Sequence, residues 1–143
     1  STKTDGEMKP LELPNNTQCF GQITAVYGAR AAINCFYYKT DQETGKRKEI
    51  IETKQCCIKC LIKKRSEAPN VGDLILCSFN DGKTYRGDYK YNSMDIRRLL
   101  NGGYLNFNTN GQIKLDLDNV FTKETNKNER VKNRVDFLHC HCK

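Results

Sequence analysis

Apolar and polar residues alternate in short bursts along this chain, separated by polar turns, with little of the three-to-four-residue spacing that marks amphipathic helices. Cys19 to Val26 carries Ile23, Thr24 and Val26 and predicts a strand, and Tyr27-Gly28-Ala29 predicts a turn. Ala31 to Tyr38, with Ile33, Phe36, Tyr37 and Tyr38, predicts a second strand closing a tight hairpin on the first. Thr40 to Lys48 (TDQETGKRK) is a polar tip, and Glu49 to Cys57 returns as a third strand. Asp73 to Phe79 is apolar on both faces through Leu74, Ile75, Leu76 and Cys77, the signature of a strand covered on both sides. Asp81-Gly82 marks a turn and Thr84 to Tyr91 a fifth strand. Five short strands, taken as antiparallel, predict a mainly β fold built as a small closed barrel rather than alternating β-α units.

One helix interrupts this pattern. The side chain of Asn92 or Ser93 can accept the orphan amides of a first turn, and Asp95 suits the positive end of the dipole. A helix is predicted from about Met94 to Leu100, stopped by Gly102-Gly103, with Ile96, Leu99 and Leu100 as its packing stripe. Ile113, Leu115, Leu117, Val120 and Phe121 predict one further packed segment, and Thr122 to Asn133 is polar. The divisions expected are a flexible arm over 1–16, a barrel-and-helix domain over 17–105, and an extension ending in a Cys/His tail over 106–143.

Length and charge narrow the function. At 143 residues the chain suits one domain, and a formal net charge of +7 favours polyanionic partners. No apolar run approaches the ~18 residues of a membrane span, so no membrane partner is expected and the cytoplasm is the expected location. Of the cysteines, Cys19, Cys35 and Cys77 fall inside apolar runs and read as small hydrophobes, which predicts free thiols in a reducing compartment.

Three kinds of chemistry bear on these residues: metal binding, catalysis and polyanion binding. Cys57-Ile58-Lys59-Cys60 has metal-ligand spacing, and Cys140 and Cys142 sit in a His-Cys-His-Cys run. The expectation is nevertheless no cofactor and no metal, with Cys57 and Cys60 in a strand and its exit and the tail unliganded; zinc at Cys57, Cys60, Cys140 and Cys142 is the alternative the residues allow. Catalysis finds no support: there is no phosphate-cradling GxxxxGK, adjacent tail residues cannot orient a Cys-His nucleophile, and Asp73, Asp81, Asp88 and Asp95 sit at turns and caps. No enzyme is expected. Lys54, Lys59, Lys63, Lys64 and Arg65 form a basic cluster suited to phosphate, or equally to a solvated surface. Among the many aromatics, Tyr85 and Tyr89 have polar neighbours and are the candidates for stacking on bases.

Several segments together resemble a known family. These are Phe20-Gly21-Gln22-Ile23-Thr24, Ile58-Lys59, Lys63-Lys64-Arg65 and Lys90-Tyr91-Asn92, with the order strand, turn, charged strand, Tyr-Asn, helix across Val71 to Leu105. Over roughly residues 12 to 105 the chain is similar to the eukaryotic and archaeal translation initiation factor 1A family. The resemblance implies a five-stranded OB-fold barrel followed by a short packed helix, with flexible polar termini. It implies a monomeric factor that binds the RNA of the small ribosomal subunit at the A site of the decoding region. There, with other initiation factors, it would assist scanning and start-codon selection. It places RNA contacts at Lys59, Lys63, Lys64 and Arg65, and at Arg30 and Lys90, which resemble the Arg of the family's Gly-Asn-Gly-Arg turn and the Lys of its Lys-Tyr-Asn. The chain departs from the family at Cys60, where glycine is common, in having no Trp, and in a Val135–Lys143 segment that is not acidic. The competing expectation is an OB-fold interaction module that binds single-stranded nucleic acid or protein outside initiation.

Overall fold

A computed structural model describes residues 9–62, 68–79, 84–107 and 115–118. Five strands form the body: β1 (Gln18–Tyr27), β2 (Arg30–Thr40), β3 (Arg47–Cys57), β4 (Leu74–Ser78) and β5 (Thr84–Lys90). They close into a barrel in the order β1-β2-β3-β5-β4, and β4 returns to pair with β1. This is the expected mainly β barrel, with a strand order consistent with an OB fold.

The expectation of uniformly antiparallel strands is corrected. β3 and β5 run parallel through three pairs, Gln55–Thr84, Cys56–Tyr85 and Cys57–Arg86. Five is an odd number, and strands in a closed ring of odd size cannot alternate in direction all the way round. One parallel contact is therefore obligatory, and it is the shortest seam in the barrel.

Strand alternation sorts the side chains into two cores. Ile23, Ile33, Ile75, Cys19, Cys35, Cys56 and Cys77 fill the barrel interior. Phe20, Phe36, Leu74 and Leu76 point outward and are covered by Tyr91, Ile96, Leu99 and Leu105. Thus β4 is buried on both faces, as its unbroken apolar run requires.

The cover is α1 (Ser93–Asn101). Asn92 is its N-cap and accepts from the Asp95 backbone N–H at 2.8 Å, while the Asp95 carboxylate accepts from the Asn92 N–H. This reciprocal box satisfies two amides that a helix start otherwise leaves open. Gly103 (φ 76°) takes the left-handed position that ends the helix. Leu100 departs from the predicted stripe: the buried set is Asp95, Ile96 and Leu99, so the contact face lies on the other side of Ile96 and leaves Leu100 exposed.

Both flanking segments fasten onto this body. Tyr91 Oη donates to Glu12 O at 2.7 Å and Arg98 Nη1 to Lys9 O at 3.0 Å, which ties residues 9–12 to the end of β5 and to α1. Leu115 and Leu117 pack on the outer core, and between them the Asp116 N–H donates to Gln22 Oε1 at 2.9 Å. Gln22, buried in β1, in turn donates to Gly72 O at 3.0 Å. Among the described residues no helix is long and apolar enough to cross a membrane.

Candidate nucleic-acid interface

The barrel register lines up four residues that are far apart in sequence. Tyr27 faces Arg30 across the first hairpin, Arg30 faces Cys57 on β3, and Cys57 faces Arg86 on β5. Residues directly paired across neighbouring strands project from the same face of a sheet. The rung Tyr27–Arg30–Cys57–Arg86 therefore presents a ring, a guanidinium, a thiol and a second guanidinium on the barrel's outer surface. Strands lie about 4.8 Å apart, which puts Arg30 and Arg86 roughly 10 Å apart at the backbone.

All but one of these side chains are open to solvent. Tyr27 is 63% exposed, the largest value among the exposed large hydrophobics. Arg30 is exposed and forms no ion pair with a described residue. The Arg86 side chain is 61% exposed, with its Nε 2.8 Å from Asp88 Oδ1. Asp88 also accepts from Gln18 Nε2 at 3.1 Å and from Ser78 Oγ, so it is anchored independently of Arg86.

A 3-10 turn, Lys59–Leu61, is held against this rung and places exposed Lys59 beside it. The Ile58 N–H, just before the turn, donates to Ala29 O of the first hairpin at 2.8 Å. Leu61 anchors the turn from the inner side, packing on the interior core at Gly87, where a Cβ would stand 2.6 Å from Leu61 Cδ1. Glycine at 87 is what allows so close an approach.

The other sequence candidates are scattered. Lys54 faces Ile33, an interior residue, so it lies on the opposite face of β3 from Cys57. Its Nζ sits 5.9 Å from the centroid of Tyr85. Tyr85 is only 9% exposed, packed edge-on against Phe79 within the interior core. Tyr89 is half-buried and donates through its hydroxyl to Asp95 Oδ2 at 2.7 Å. Burial, then the Asp95 hydrogen bond, pushes that phenol up to about 12. Both tyrosines thus have their rings engaged within the protein. Lys90 lies toward the other end of β5, 3.6 Å from Asp73 and donating to Ala68 O at 3.5 Å. Lys63, Lys64 and Arg65 fall outside the described residues.

Sequence reading missed Arg86 and undervalued Tyr27. The signal for Arg86 was its place between Tyr85 and Gly87, both inward-facing, which forces the intervening side chain outward.

A concavity of about 900 Å³ opens between the β2–β3 hairpin, the 13–18 segment and the turn after α1. Tyr38 is central to it, with Arg47 Cζ 3.9 Å above its centroid and Phe107 stacked at 4.8 Å.

The cysteines group differently from the expected zinc set. Cys57 is half-buried on the rung and Cys60 is exposed on the 3-10 turn, while Cys140 and Cys142 lie outside the described residues. The six described cysteines are free, in keeping with the expected free thiols. The thiols that converge are Cys19, Cys35 and Cys77, whose sulfurs all lie within 4.8 Å of one another. Hydrogen bonds from Cys35 and then Cys77 bring the Cys19 thiol down to about 5. The hydrogen bond with Cys19 pushes Cys35 upward, and those with Cys19 and then Cys35 push Cys77 upward.

Set against known families and curated proteins, the chain matches no family model and no curated sequence, so the barrel topology and the surface it organises carry the functional reading.

Proposed function

We propose that this protein is an RNA-binding OB module that engages the small ribosomal subunit in the manner of translation initiation factor 1A. On this reading it docks in the decoding region at the A site and assists scanning and start-codon selection, by binding rather than by catalysis. The observation that carries it is the Tyr27–Arg30–Cys57–Arg86 rung with Lys59 at its edge. Two guanidiniums and an ammonium suit phosphate oxygens, and an exposed ring beside them suits an unpaired base. Folded RNA is recognised largely by shape and by its backbone, which needs rigid positioning more than a base code. Lys63, Lys64 and Arg65 follow Lys59 closely in sequence and add three cations to the count on this reading. The chain contains no Trp, so its affinity rests on cations and tyrosine rather than on an indole.

The cleft around Tyr38 favours a second reading, a module that holds single-stranded nucleic acid between the hairpin and the helix turn. Binding of the full chain to purified small ribosomal subunits, with unstructured oligonucleotides as competitors, separates the two. Retention on subunits against a large excess of oligonucleotide is the expected result. Efficient displacement by oligonucleotide moves the function to the cleft, and binding to neither removes both readings.

A further inference from the structure

We propose that Cys19, Cys35 and Cys77 form a buried three-sulfur site for a thiophilic divalent d10 ion, with zinc the natural occupant. The three residues come from β1, β2 and β4 and meet because β1 lies between the other two strands, with Cys19 directly opposite Cys77. All three are 0% exposed, and their sulfurs lie within 4.8 Å of one another, with Cys19 and Cys77 at 3.5 Å. Sulfurs bound to one zinc at about 2.3 Å in tetrahedral geometry stand about 3.8 Å apart, so small rotations of the thiols suffice to close the site.

The space for this convergence is left by Gly21. It lies directly opposite Cys35, and a Cβ there would stand 3.2 Å from the Cys77 sulfur and 3.1 Å from Ile33 Cδ1. An alanine at 21 would crowd the sulfur-lined pocket.

Charge selects the ion. Three thiolates carry three negative charges into an interior built of Ile23, Ile33 and Ile75. A divalent ion leaves one uncompensated charge and a monovalent ion leaves two, and uncompensated charge in an apolar medium is costly. Soft sulfur donors exclude magnesium and calcium. Among the described residues no fourth His, Cys, Asp or Glu joins the group, so the site is one of three sulfur ligands. Binding breaks three S–H bonds, forms three metal–sulfur bonds and releases three protons to water, with no change of oxidation state.

The test uses cadmium as a spectroscopic probe, because thiolate-to-cadmium charge transfer reports sulfur ligation in the ultraviolet. The full chain carrying Cys57→Ser, Cys60→Ser, Cys140→Ser and Cys142→Ser retains the buried cysteines. It should take up one equivalent of cadmium, with a band of three-thiolate intensity that zinc displaces. Adding Cys35→Ala should abolish the band while the far-ultraviolet circular dichroism stays that of the parent. Should Cys35→Ala fail to fold, alkylation mapping of the four-serine variant in partial denaturant decides the matter. Bound cadmium should then shield Cys19, Cys35 and Cys77, and leave Cys56 as reactive as without metal. No band in the four-serine variant, a band that survives folded Cys35→Ala, or shielding of Cys56 in place of Cys35 would overturn the assignment.

Discussion

Replacing Arg30 by glutamine isolates the electrostatic contribution of the outer rung, because nothing in the described structure depends on that guanidinium. It is exposed and without an ion pair to a described residue, so the barrel should unfold at an unchanged urea midpoint. A single phosphate contact on unpaired RNA contributes about 0.7 to the slope of log affinity against log salt. Relative to 1 M salt, that slope is worth about fivefold in affinity at 0.1 M, or ~1 kcal/mol. Arg86→Gln should cost less, because Asp88 at 2.8 Å already neutralises part of its charge and competes with phosphate for it. The double variant should therefore fall between about fivefold and 25-fold weaker, with a slope reduced by more than 0.7 and less than 1.4. Filter binding or fluorescence anisotropy across a salt series, with small subunits or a fragment of their RNA, measures both quantities. Lys90→Gln is the internal control: its ammonium is committed to Asp73 and Ala68 at the far end of β5 and should leave the slope alone. An unaltered slope in the Arg30/Arg86 double variant would refute the rung as a phosphate-binding surface.

The fold itself offers sharper stability changes. Leu76→Ala removes a side chain that is 2% exposed beneath α1 and should destabilise by about 2–5 kcal/mol in urea unfolding. Asn92→Ala breaks one half of the capping box and should cost ~1 kcal/mol, with faster amide exchange confined to the first turn of α1. Alkaline stability follows from Tyr89: its folded-state pKa of about 12 exceeds the ordinary phenol value of 10.0, so the folded form binds the proton more tightly. That contribution is complete below pH 10 and disappears as pH rises through 12, so stability should decline across this window, and Tyr89→Phe should flatten the decline.

The strands and the helix were legible because their signals are local. Alternation over five to eight residues and an Asn-x-x-Asp cap need no knowledge of the rest of the chain. The β3–β5 contact was not legible, since no pattern in Gln55–Cys57 or Thr84–Arg86 announces a parallel partner. Everything that depends on this closure was hidden with it, including Arg86 beside Cys57. Tyr85 shows a different limit. Its polar neighbours suggested an exposed ring, but adjacent residues on a strand point to opposite faces, so Thr84 and Arg86 carried no information about where Tyr85 points. The exposed Tyr27 followed instead from its position at the hairpin turn. The three buried thiols were each recognised as interior residues, yet their meeting required a register that only the folded barrel supplies.

The amide of Gln22 is a handle made of side chain in a place where a sheet would ordinarily offer backbone. By accepting from the Asp116 N–H and donating to Gly72 O, it ties the segment beyond the helix to the loop that precedes β4. A fragment cut at residue 105 would keep every strand and all of α1, yet leave a buried carboxamide without its acceptor-side partner and strip Leu115 and Leu117 from the outer core. Recombinant boundaries drawn after Leu105 should therefore give material that precipitates or exchanges its β1 amides quickly, where one drawn after Asp118 should not.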